Sequence, residues 1–147
     1  SMLDRSQTTE AARLLSGGLL DGSRAGLMLS ARLAALPQAD ATQAGRVREE
    51  LQTWVSVRPG DAGAWQALAR VSERLGQPLA SLRAQAEAQA ALGDLAGAVD
   101  RLRAGQRLSR SSGAVESMEG VVIESRLKAL EQQRRAELER ERRGEDD

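Results

Sequence analysis

Ser125 and Lys128 stand three positions apart, the S-x-x-K spacing that sets a lysine beside a nucleophilic serine in penicillin-recognising enzymes. That chemistry also requires an S-D-N and a K-T-G element. The chain contains no Asn and its single Lys is Lys128, so neither element exists and both residues read as helix-surface positions. There is no His and no Cys, which removes Ser-His-Asp triads, Cys-His dyads and the usual zinc ligand sets. Glu49 and Glu50 supply adjacent carboxylates. Glycosidase work needs such groups across a sugar-stacking cleft, and only two Trp exist to stack. No Gly-rich loop follows a strand-like run to cradle a phosphate. The residue types point to a noncatalytic chain with no metal site and no cofactor of its own.

Composition narrows the alternatives. At 147 residues the chain suits one domain with a real core. Its hydrophobic content of 41% includes two Trp but no Phe or Tyr, and much of it is Ala and Leu. Such a core is built from helices in close contact, not from a β-sandwich. Charge is balanced, 21 basic against 21 acidic residues, so no global field attracts nucleic acid. The absence of Cys excludes disulfides and leaves the compartment open. Uncharged runs such as residues 62–69 are too short for a membrane span, and none forms a signal-peptide core.

The elements that would position any binding residues are organised around residues 58–108. Pro59-Gly60-Asp61 stops one helix and starts the next, with the Asp61 side chain as N-cap. Trp65, Leu68, Ala69 and Leu75 then share one helical face. Gly76 ends that helix, and Pro78 is tolerated in the first turn of another, whose stripe is Leu79, Leu82, Ala86 and Ala90. Gly93-Asp94 makes the next turn, and Leu95, Ala98, Val99 and Leu102 mark a third face. Three amphipathic helices joined by such short turns pack antiparallel. The W-x-x-L-A of residues 65–69 and the "ALGDLAGAVDRL" of residues 91–102 resemble the tetratricopeptide repeat, a helix pair of about 34 residues that stacks on its own copies. The expected fold is therefore all-α, with antiparallel helix hairpins stacked as a tetratricopeptide-repeat-like right-handed solenoid and a long C-terminal helix.

Elsewhere the pattern is also helical. Thr8 or Thr9 caps a short helix closed by Gly17-Gly18. Ser23 caps a helix with Leu29, Leu33 and Leu36 on one face, stopped by Pro37. Asp40 or Thr42 opens another, with Val47, Leu51, Trp54 and Val55 on one side. "SRSSG" at residues 109–113 reads as a loop, and a last helix begins near Ala114, burying Val115, Met118, Val122, Ala129 and Leu130. Beyond Leu130 the apolar stripe fades, and Glu131–Arg135 and Glu139–Arg143 pair at i,i+4 spacing on a solvated helix. The expected divisions are 1–7, a tag scar (Ser1-Met2) and disordered start; 8–130, the repeat-like domain; and 131–147, a charged tail. Leu127, Leu130 and Leu138 are the candidate contacts if that last helix self-associates.

Stacked helix pairs form a groove lined by their first helices, so protein or peptide binding is the expected role. On the helix after Asp61, Gln66, Arg70, Glu73 and Arg74 fall on the polar side, and Arg83, Glu87 and Arg101 extend that surface. Each also reads as an ordinary solvated charge. Trp54 and Trp65 read as packing residues. The Lys/Asn carboxylate clamp of the chaperone-docking members of the repeat family cannot be assembled without Asn.

A more specific resemblance lies in "W-x-x-L-A-x-x-x-x-x-x-G-x-P-x-x-S-x-R-A-x-A-E" at residues 65–87 and the "I-x-x-R-L" of residues 123–127. With the order of segments from about residue 14 to 135, these resemble the C-terminal region of BepA-type bacterial zinc metallopeptidases. The resemblance implies a periplasmic parent whose separate catalytic domain holds zinc through H-E-x-x-H. It further implies that this repeat domain packs on that catalytic domain and engages clients or the outer-membrane protein assembly machinery. A chain without His carries none of the peptidase activity. The alternative is a free-standing helical adaptor with no enzyme attached.

Overall fold

A computed structural model of the protein describes residues 23–144. The expected helix after Thr8 or Thr9, the 1–7 segment and the acidic end at 145–147 lie outside the described residues. Among those described there are six α-helices and no strand. They are α1 (Arg24–Ala34), α2 (Ala41–Val57), α3 (Ala62–Arg74), α4 (Pro78–Ala91), α5 (Leu95–Ser111) and α6 (Met118–Arg142).

Capping chemistry fixes the starts of these helices. The Ser23, Asp40, Asp61, Asp94 and Ser117 side chains each accept a hydrogen bond from a backbone N–H two or three positions on. These bonds satisfy amides that have no intrahelical partner. Helix α4 has no such cap and begins instead on Pro78, which has no N–H to satisfy. Gly76 and Gly93 end α3 and α4 with φ of 72° and 85°, the left-handed region that glycine enters without steric cost. The chain then closes Schellman-type: Gln77 N–H donates to the Ser72 carbonyl at 2.9 Å, and Asp94 N–H to the Gln89 carbonyl at 2.9 Å.

Helices α1, α2 and α3 pack on one another, as do α4, α5 and α6, and the two sets join through α3 and α4. Helix α1 meets α3, but α3 does not meet α5; beyond that point α4 and α6 meet instead. The core follows this division. One cluster includes Leu51, Val55, Trp65, Leu68 and Val71, the other Val99, Leu102, Ile123, Leu127 and Leu130. Helix α4 serves both, giving Ala84 and Ala88 to the first cluster and Ala86 to the second. Its small side chains let helices approach on more than one side, so it has no single apolar stripe.

Four sequence expectations are corrected here. The "SRSSG" stretch is not a loop from Ser109, because α5 continues through Ser111. Ser109 is buried and donates to the Gln106 carbonyl, while Ser111 and Ser112 donate to the Leu108 carbonyl, so the serines are satisfied by the helix itself. The last helix begins at Met118, not near Ala114, because Ser117 is its cap. Met118 is 84% exposed, and Val115 and Ala129 are exposed as well; the buried face of α6 is Ile123, Leu127 and Leu130. Leu127 and Leu130 are thereby used inside this chain and cannot be contacts for self-association, whereas Leu138 is 49% exposed.

Candidate functional site

Trp65 sits at the start of α3 with its indole N–H donating to the Pro59 carbonyl at 2.9 Å. That bond holds the ring at the α2–α3 turn, with the side chain almost wholly buried. The Arg83 guanidinium of α4 lies over the ring face, 5.1 Å from its centroid, in cation–π geometry. One helical turn on, Glu87 is 8% exposed and approaches Arg83 Nε at 3.4 Å. Arg126 of α6 closes the group: its Nε and Nη2 donate to the two Glu87 carboxylate oxygens at 2.9 and 2.7 Å. This paired geometry is the strongest that an arginine and a carboxylate can make.

These side chains line a cleft of about 490 Å³. Gln52, Thr53, Val55 and Ser56 of α2 form one wall, Pro59 and Trp65 one end, and Arg83, Glu87 and Arg126 the rest. Its size is that of a small-ligand or short-peptide site. A second hollow of about 450 Å³ runs along α5 and α6, lined by Gln106, Glu124, Lys128, Glu131 and Arg135 among others. Its polar side chains are engaged within the fold: Gln106 donates to Glu124 at 3.0 Å, and Arg103 to Glu131 at 3.2 Å. Ser125 and Lys128 also line it and make no hydrogen bond to each other. No group of three or more His, Cys, Asp or Glu side chains placed to hold a metal ion occurs among the described residues.

Of the residues singled out in the sequence, the cleft gathers Arg83, Glu87 and Trp65. Gln66, Arg70 and Glu73 are exposed on α3 and do not line it. Arg74 has a structural role: its Nε donates to the Leu36 carbonyl at 2.9 Å and its Nη2 to the Ala39 carbonyl at 2.6 Å. It thereby satisfies the irregular segment between α1 and α2. Arg101 donates to the Gly97 carbonyl of its own helix at 3.2 Å. Arg126 was not a sequence candidate, although it is the arginine of the I-x-x-R-L stretch. Its charge alone does not distinguish it from the other arginines; its register does, one position before Leu127 on the buried face of α6.

A second polar hub lies at the α2–α3 turn. The Asp61 carboxylate accepts from Arg24 Nε and Nη2, each at 2.8 Å, from the Trp54 indole N–H at 2.9 Å, and from Ala64 N–H at 3.1 Å. The hydrogen bond from Arg24 is the main reason its carboxyl is held well below the usual carboxylate range; the Trp54 and Ala64 bonds add to this and partial burial opposes it. All its partners are within the fold, so this hub ties α1, α2 and α3 together. Trp54 is stacked in turn, with Arg58 over its ring at 3.8 Å.

No protein-family model, curated protein or solved structure matches this chain.

Proposed function

We propose that this chain is a noncatalytic protein-binding domain that holds a segment of a partner protein in the cleft between α2 and α6. One observation carries the reading. The cleft is lined by charged groups that are fixed by Trp65 and by one another before any partner arrives. Such preorganisation lowers the ordering cost of binding. Repeat-like stacking of helix hairpins, the finer form of the fold, agrees with this role, because stacked hairpins leave recesses between neighbouring pairs.

The resemblance at residues 65–87 and 123–127 supports a narrower version. In it the chain is the recognition arm of a periplasmic zinc metallopeptidase of the BepA type and engages clients or the outer-membrane protein assembly machinery. Zinc would belong to the separate catalytic domain. Two of the cleft's charged residues, Arg83 and Glu87, fall in the first of those stretches, and Arg126 in the second.

Photocrosslinking tests the binding role. A photoreactive side chain at Gln52 should capture partner proteins from envelope extracts, and one at the exposed Arg70 should capture fewer. Equal capture from both positions would remove the cleft from the proposal. Reading the parent gene upstream of the Leu3 codon tests the narrower version. An in-frame H-E-x-x-H supports it, and a native start there leaves the free-standing adaptor.

A further inference from the structure

The charges around the cleft do not cancel. Arg83 and Arg126 face it with two guanidinium groups against the single carboxylate of Glu87. Glu87 spends both oxygens on Arg126. Arg83 is left with the 3.4 Å approach to Glu87 and the Trp65 face, and makes no hydrogen bond among the described residues; its buried Nε has no partner of acceptable geometry. The buried Nε faces Glu87; the outer guanidinium nitrogens, also without a hydrogen bond, are the site for an anion.

Resting on the protein-binding reading above, we propose that the cleft takes an acidic segment of a partner protein, an aspartate or glutamate beside an aliphatic residue. The carboxylate pairs with Arg83, flanked by Arg126, and the aliphatic neighbour lies against the exposed Pro59 at the end of the cleft. The α2 wall suits an extended backbone. Thr53 and Ser56 give their hydroxyl protons to carbonyls of their own helix, at 3.1 and 2.7 Å, which leaves their oxygens to accept peptide N–H groups. One surplus positive charge matches one carboxylate. It is too little for a nucleic-acid strand, whose binding neutralises several phosphates at once.

The test is selection of end-capped octapeptides from a random display library on the full chain. Enrichment of an acidic residue next to an aliphatic one is expected. The selected peptide is then titrated by fluorescence anisotropy. Arg83→Gln, and equally a change of the peptide's acid to its amide, should each weaken binding about tenfold or more, with the two changes together costing little extra. Ser56→Trp, at an exposed position on the rim, should block binding with the melting temperature unchanged. If Arg83→Gln fails to fold, the peptide substitution alone decides the charge. Selection of neutral or basic peptides that Ser56→Trp still blocks would overturn the acidic preference and leave the protein-binding reading intact. A wild-type dimer that Ser56→Trp converts to monomer would show a second copy in the cleft and overturn the proposal. No enrichment above bare support would end both readings.

Discussion

Glu87 of α4 and Arg126 of α6, 39 positions apart in the chain, meet through two hydrogen bonds of 2.9 and 2.7 Å beside the cleft. The contact ties α6 to a helix two elements earlier and sets one side of the cleft. Removing Arg126 leaves a carboxylate 8% exposed with only Arg83 near it. Breaking a fully buried pair costs roughly 3–5 kcal/mol, and because the Arg126 side chain reaches solvent a smaller loss of about 2 kcal/mol is expected for Arg126→Ala. Hydrogen exchange should localise the effect. Amides of α6 should exchange faster, and those of α1 and α2 should not.

Asp61 gives the protein an acid-sensitive element. Its carboxyl is depressed in the folded state, so its contribution is present above the unfolded value near 3.8 and is lost as pH falls below it toward the depressed folded value. Asp61→Asn keeps an efficient helix cap and removes the charge. Denaturant melts should show wild-type stability falling more steeply than that of Asp61→Asn as pH drops from about 5 to 2. Asp61→Ala also removes the cap and strands the Trp54 N–H, so at neutral pH it should cost about 2–3 kcal/mol. Parallel pH curves for wild type and Asp61→Asn would dismiss the acid role.

Where the sequence was a good guide, the information was local. Asp61, Gly76, Pro78 and Gly93 mark turns through their own backbone preferences, and those turns form where expected. The start of α6 was misplaced because Val115 and Met118 fit a 3.6-residue period, while the helix is set by Ser117. Serine at 109, 111 and 112 suggests a loop by type, yet its hydroxyl can bond back to a helix carbonyl and stay helical. The cleft was legible only by halves. Arg83 and Glu87 stand one turn apart on a helix the sequence delimits, but Arg126 joins them, and Arg74 leaves the binding set, through contacts 35 or more positions away. A helical period carries no record of such pairings.

Gly120 sits in the first turn of α6 beneath the connection from α5. A Cβ there would collide with the Ala114 and Val115 carbonyl oxygens, which are backbone and cannot swing aside. Alanine ordinarily favours a helix over glycine by about 1 kcal/mol. Here overpacking should outweigh that gain, and Gly120→Ala should destabilise by about 1–2 kcal/mol net. Gly45→Ala is the matched control, since nothing lies within 4 Å of its added Cβ and α2 should gain stability. The pair of thermal melts therefore moves in opposite directions. Stabilisation by both substitutions would mean that the 114–117 turn yields easily.

The charged end of α6 is long but contributes little to the fold. Past Leu130 no residue of α6 is buried, and at Glu131 the helix is joined to α5 by the exposed Arg103–Glu131 bond at 3.2 Å. Ion pairs spaced i,i+4 on a solvated helix are worth roughly 0.2–0.5 kcal/mol each and hold helicity without anchoring it. Ending the chain after Glu131 should therefore lower the helical circular-dichroism signal, while the denaturation free energy changes by less than about 0.5 kcal/mol. Leu127→Ala is the contrasting change. It empties a site at 4% exposure between α5 and α6 and should cost about 2–4 kcal/mol. Sedimentation of the shortened chain separates the remaining role for the tail. With Leu127 and Leu130 committed to the core, only Leu138 of the three expected contacts is free to mediate association, so an oligomer built on those contacts should dissociate when Leu138 is removed.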